Sequence, residues 1–110
     1  MTFEEYQKNV TRTMNSHDPQ ELHNYILGIV GEVGELINYL KKYLHHGHDL
    51  NLLNAQEEIG DCLWYLSAIA TKLNLKMSDI AIQNIIKLER RYPTGFSVTA
   101  SIERKDVTDV

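Results

Sequence analysis

Apolar side chains recur along this chain at three- and four-residue steps, and nowhere do they alternate for long. Leu22, Ile26, Ile29, Val33, Leu36, Ile37, Leu40 and Leu44 fall on one helical stripe. Ala55, Ile59, Cys62, Leu63, Leu66, Ile69, Ala70 and Leu73 fall on another. The two stripes predict long helices over residues 19–44 and 52–73. Between them His45, His46 and Gly47 form a break, because histidine suits the last turn of a helix and glycine the residue after it. Thr2 and Glu5 have capping-box spacing and open a first helix to about residue 15. Asp18 is placed to cap the second helix, with Pro19 at its first position and Glu21 reaching back. Ser78 caps a fourth helix with Ile82, Ile85, Ile86 and Leu88 on one side, ending near Arg91 ahead of Pro93. The expected fold is therefore all-α, a four-helix bundle built around a long antiparallel helical hairpin. Residues 1–96 form its domain. Residues 97–110 are a polar, non-periodic tail, expected either to be disordered or to pair with another chain.

Composition narrows the function without deciding it. The 110 residues are 43% hydrophobic and 24% charged, with a net charge of −4, the profile of a soluble globular domain. No basic tract supports nucleic-acid binding, and no apolar run approaches a membrane span. The single cysteine, Cys62, excludes an intrachain disulfide and sits in the apolar pattern of the third helix. A cytoplasmic protein is the expectation.

Four glycines inside the expected helices are a local conflict: Gly28, Gly31, Gly34 and Gly60. Each costs roughly 0.5–1 kcal/mol relative to alanine. The favoured explanation is close approach of two helices, and room for a ligand is the alternative.

The chemistry-bearing pattern is a pair of echoing motifs. Glu32-Val33-Gly34-Glu35 and Glu58-Ile59-Gly60-Asp61 each put two acids three residues apart, hence on one helix face. The midpoint of the four acids falls inside the His45–Asp49 break, so an antiparallel hairpin brings both pairs to one level. Four carboxylates at one level raise one another's pKa and oppose folding unless cations compensate. All-oxygen ligands suit Mg²⁺ or Mn²⁺. A di-iron bundle needs Glu-x-x-His pairs, and neither acidic pair has a histidine three residues on. His45, His46 and His48 lie at the turn, roughly 18 Å of helix from the acids. Zinc lacks its ligand spacing.

The fourth helix carries the opposite charge. Asn84, Lys87 and Arg91 share one stripe at the edge of, or opposite, the isoleucine face. Spacing alone leaves two readings open, a plain solvent face or a grip on phosphate oxygens. Carboxylates with a metal, facing a Lys/Arg stripe, describe phosphoryl or nucleotidyl transfer. A Walker-type phosphate loop does not occur in the sequence.

Taken in order, Glu-x-x-Glu, Glu-x-x-Asp, Asn-x-x-Lys-x-x-x-Arg and the closing Tyr92-Pro93-Thr94-Gly95-Phe96 resemble the MazG-like nucleotide pyrophosphohydrolases of the all-α NTP pyrophosphohydrolase superfamily. The resemblance runs from about residue 27 to 96. It implies Mg²⁺-dependent hydrolysis of a nucleoside triphosphate between its α and β phosphorus atoms. Carried onto these positions, it makes Glu32, Glu35, Glu58 and Asp61 the metal ligands. Lys87 and Arg91 become phosphate-binding residues, with Asn84 as a further polar contact. The catalytic set it implies is Glu35, Lys87 and Arg91, with Glu57 as a supporting acid. It also implies a homodimer or homotetramer whose sites draw helices from more than one subunit. Trp64, three residues past Asp61, is expected in the core or a subunit contact, with base stacking as the second reading.

Three other readings compete. The first is a phosphoribosyl-ATP pyrophosphohydrolase, a related fold with similar acid motifs. The second is a non-catalytic helical interaction module. The third is a metal-storage or metal-sensing bundle, which would bind cations and release no pyrophosphate.

Overall fold

The structure, a computed structural model, describes residues 1–107. Its helices are α1 (Phe3–Val10), α2 (Glu21–His45), α3 (Leu52–Lys72), α4 (Met77–Arg91) and α5 (Val98–Glu103), with a 3₁₀ turn at Thr11–Thr13. No strand occurs among the described residues, so the fold is all-α as the periodicity predicts. The long α2–α3 hairpin is its organising unit.

The hairpin turn is built by local chemistry. Gly47 adopts the left-handed conformation (φ 73°), and the His48 amide reaches back to the Lys42 carbonyl at 3.2 Å, a glycine-dependent helix ending. The Asn51 side chain accepts from the amides of Leu53 (3.0 Å) and Asn54 (3.3 Å), capping α3. Tyr39 reaches across from α2: its hydroxyl accepts from the Asn51 amide and donates to the Asn51 carbonyl at 3.1 Å. Along the hairpin, Gly28 lies directly under the Tyr65 ring, where a Cβ would overlap it. Close approach explains that glycine. Gly31, Gly34 and Gly60 face open space within the chain.

Three boundaries differ from the expectation, each for a visible reason. The capping box of α1 forms, with the Glu5 amide donating to the Thr2 hydroxyl at 3.0 Å. The α-helix nonetheless stops at Val10, because the Thr11 and Thr13 hydroxyls bond back to the Lys8 and Val10 carbonyls and tighten the chain. Asp18 does not cap α2; its carboxylate takes the Gln20 amide at 2.7 Å, forming a turn through Pro19, and α2 starts at Glu21. Glu21 does not reach back either. It is buried, paired with Lys72 Nζ at 2.9 Å and accepting from the Tyr25 hydroxyl at 2.5 Å. Ser78 is not the cap of α4: the Met77 amide donates to Gln7 Oε1 at 2.8 Å, while Gln7 Nε2 donates to Thr71 and to the Leu75 carbonyl. One side chain from α1 therefore ties α3 to α4.

The tail also departs from expectation. Ser97 caps the short α5 by accepting from the Ala100 amide at 3.0 Å, and Asp106 returns to Arg91 on α4. Residues 108–110 of the expected tail lie outside the described residues.

The core proper is small. Val10, Tyr25 and Ala68 are buried together, with Tyr6, Met14, Trp64, Tyr65 and Ile69 packed around them. Tyr25, Trp64 and Tyr65 meet edge to face with centroids 5.1–6.3 Å apart, the favoured aromatic geometry. Much of the apolar stripe is left uncovered: Ile37 is 58% exposed, Leu44 68% and Ile59 57%. Helix α4 packs chiefly on α1 and α5 rather than along the hairpin. The radius of gyration is 17.4 Å, against about 13 Å for a compact chain of 100 residues. Within one chain the bundle is open.

Candidate metal centre

Half-way along the hairpin, the equal spacing of the two acidic motifs from the turn becomes geometry. Carboxylate oxygens of Glu32, Glu58 and Asp61 all lie within 4.8 Å of one another. Glu32 and Glu58 are half-buried and Asp61 is exposed. Oε2 of Glu32 and Oε2 of Glu58 are buried without a hydrogen-bond partner. Burial raises the Glu32 pKa above the ordinary carboxylate value, direct contact with the Glu58 carboxyl raises it next, and the charges of Glu35, Asp61 and Glu58 raise it further. Glu35, the fourth acid, is exposed beside this cluster rather than inside it. Cys62 stands next to the acids, and its thiol is pushed up by burial and then by the same three carboxylates.

Buried oxygens lacking donors are costly, and two of them in one carboxylate cluster form an electron-rich cage for a hard cation. The donor set, all oxygen with room for water, fits Mg²⁺ or Mn²⁺. No histidine belongs to the cluster among the described residues. His45 ends α2 and His46 caps it, as the spacing predicts.

A cavity of about 350 Å³ opens beside the acids, lined by Thr13, Glu32, Asp61, Trp64 and Tyr65. Trp64 Nε1 donates to the Thr13 hydroxyl at 2.8 Å, closing one wall with a residue of the 3₁₀ turn. Trp64 thus serves both the core cluster and the cavity. Sequence reasoning did not single out Thr13 or Tyr65; their role depends on the turn after α1, which carries no motif.

The cationic stripe lies elsewhere in the chain. Asn84 and Lys87 line a separate cavity of about 440 Å³ with Leu75, Asp79, Ile80 and Gln83. Arg91 is engaged by Asp106, Nε to Oδ1 and Nη2 to Oδ2, both at 2.9 Å. That carboxylate holds the guanidinium pKa above its ordinary value. One chain therefore assembles three of the four expected acids and does not bring Asn84, Lys87 or Arg91 into the cavity beside them. Glu57 is exposed and outside the cluster.

Residues 20–96 match the family model of the MazG nucleotide pyrophosphohydrolase domain. The chain belongs to the MazG family. The matched segment contains both arms of the hairpin, all four acids and the α4 stripe of this MazG domain. The Gene 37 protein of Mycobacterium phage L5 is 34% identical to it over 73 residues, which are 63% of this chain and 64% of the phage protein. The MazG chain thus spans less than two thirds of that relative's length. No solved structure gives a significant match. The matched family is one of nucleotide pyrophosphohydrolases. No helix among the described residues is long and apolar enough to cross a membrane.

Proposed function

We propose that the protein is a Mg²⁺-dependent nucleoside triphosphate pyrophosphohydrolase that converts an NTP or dNTP to the monophosphate and pyrophosphate, clearing unwanted nucleotides from a cytoplasmic pool. The observation that carries this reading is the pair of buried, donorless carboxylate oxygens of Glu32 and Glu58 facing Asp61, within a MazG domain. Glu32, Glu58 and Asp61 would hold the cation, and Glu35 would complete the set from the exposed side. Mn²⁺ is a workable substitute. The bound cation supplies charge neutralisation at the phosphates and a more acidic water. Glu35, beside the cluster and solvent-facing, would orient the attacking water and take its proton. The water oxygen bonds to the α phosphorus as the bond from that phosphorus to the α–β bridging oxygen breaks, and the bridging oxygen leaves with pyrophosphate. Lys87, Arg91 and Asn84 hold phosphate oxygens, where their donors offset developing charge. The cavity walled by Trp64 and Thr13 receives the base end.

A homodimer or homotetramer supplies what one chain leaves open. The uncovered apolar stripe, the open shape and the separation of the α4 stripe from the acids all support a site completed by a second subunit.

The decisive experiment is pyrophosphate release from a panel of canonical and modified nucleoside triphosphates, with Mg²⁺ and with EDTA. Metal-dependent release is expected from at least one, and Glu35→Gln is expected to fold normally and lose at least a hundredfold in kcat, the scale of a lost proton-transfer group. No release from well-folded protein would overturn the reading.

A further inference from the structure

The C-terminal segment does something the hydrolytic reading has not used. Asp106 accepts from two arginines at once, each through the same edge. Arg91 gives Nε and Nη2 at 2.9 Å, and Arg104 gives Nε and Nη2 at 3.0 and 3.1 Å. The Asp106 side chain is only 3% exposed, against 19% for Arg91 and 46% for Arg104. The two guanidiniums hold its carboxyl well below the usual carboxylate range.

Edge choice is the informative detail. A guanidinium has five N–H donors in a planar fork, and Asp106 takes two of them from each arginine, on the Nε side. The Nη1 end of each fork is not committed to Asp106. Two cations around one anion leave a net charge of +1. The arrangement therefore orients Arg91 without neutralising it. Tyr92 holds the guanidinium from another side, with its ring centroid 5.8 Å from Arg91 Cζ and its hydroxyl a further partner of the guanidinium. Backbone strain points the same way. Arg104 has φ 53°, a left-handed conformation at the end of α5 where glycine or asparagine is usual. A side chain there is strained, and the second fork on Asp106 offsets that strain.

We propose that Asp106 is a positioning residue for Arg91: it clamps the Nε edge of the guanidinium so that the Nη1 end faces the substrate's phosphate oxygens, with Arg104 keeping the assembly cationic. This rests on the reading of Arg91 as a phosphate-binding residue. The competing idea is a latch, in which the tail carboxylate imitates phosphate and must leave before substrate binds. The two idea make opposite demands on Asp106.

The test is steady-state kinetics of Asp106→Asn in the full chain with the best triphosphate of the panel. KM is expected to rise roughly tenfold or more while kcat changes less than about threefold, because a misaimed fork weakens phosphate binding. In an Arg91→Lys background the same substitution is expected to add less than about twofold, since the fork it serves is gone. A fall in KM, an unchanged KM, or full additivity with Arg91→Lys would overturn the proposal. A direct readout stands even if Asp106→Asn folds poorly. In wild-type protein the Arg91 Nε–H NMR signal is expected to stay protected from exchange when a non-hydrolysable α,β-imido analogue binds. Loss of that protection would mean that phosphate evicts Asp106, and the latch would be right. A wild-type enzyme that hydrolyses no triphosphate would instead remove the parent reading, which separates the two failures.

Discussion

Glu32 Oε2 and Glu58 Oε2 are the most informative atoms in the molecule, because their burial without donors is expensive in the free protein. Two full charges about 4 Å apart repel by about 1 kcal/mol in water and about 4 kcal/mol near a protein surface. Removing one charge and binding a cation should therefore act on stability in the same direction. In EDTA, Glu58→Gln is expected to melt several degrees above wild type. In millimolar Mg²⁺ the order is expected to reverse, because the cation binds the folded wild type and stabilises it by mass action. Thermal melts of both proteins in both conditions check this; a wild type indifferent to Mg²⁺ would count against the cage. At this scale the sequence was highly legible. Helical spacing places Glu32 with Glu35 and Glu58 with Asp61, and distance from the turn sets their level. That Glu35 stands outside the buried cluster depends on side-chain burial, which spacing does not encode. The hold of Asp106 on Arg91 depends on a reversal of the chain at the left-handed Arg104, where no motif announces it.

Among the elements, the hairpin shows most clearly how local choices build the site. Gly28 lets α2 and α3 close over the Tyr65 ring. Gly28→Ala is expected to destabilise by about 1–3 kcal/mol, the cost of overpacking, despite the better helix propensity of alanine. Gly31→Ala, at a position facing open space within the chain, serves as the comparison. If a partner subunit does not lie there, Gly31→Ala stabilises by up to about 1 kcal/mol; chemical denaturation of the two variants distinguishes these cases. The helices themselves were readable from periodicity, and α3 ends within a residue of the expectation. The starts of α1 and α3 also fall where expected, and those of α2 and α4 do not. Asp18 looks like a cap and instead makes a turn, since an Asp carboxylate can serve the amide two residues on as readily as a helix end. The start of α4 has no cap of its own, and its Met77 amide donates instead to Gln7, about seventy residues away in sequence. Propensity and spacing carry no information at that distance.

For the whole molecule, the balance between apolar surface and core decides what the chain is in solution. Val30, Leu44, Leu52 and Leu53 are each more than two thirds exposed, and the buried core is a handful of side chains. Surfaces of this kind mark association. Sedimentation of the purified protein at micromolar concentration is expected to give a dimer or tetramer, with a melting temperature that rises with concentration. A folded monomer of 12.7 kDa would contradict that and leave the α4 stripe without acids to face. This level was the least legible in the chain, because the same Ile37 or Ile59 that reads as core from its stripe is covered only when another surface arrives.

The Tyr39 clasp on Asn51 gives the hairpin the character of a ruler with a fixed zero. Each helical residue advances its neighbour by 1.5 Å and turns it by about 100°. A single extra residue carried into either arm between the clasp and the acids would swing one pair away from the other. Length can accumulate safely only outside the clasp, as slack in the turn. The calibration of a site in the middle of the hairpin is thus entrusted to one phenol at its end.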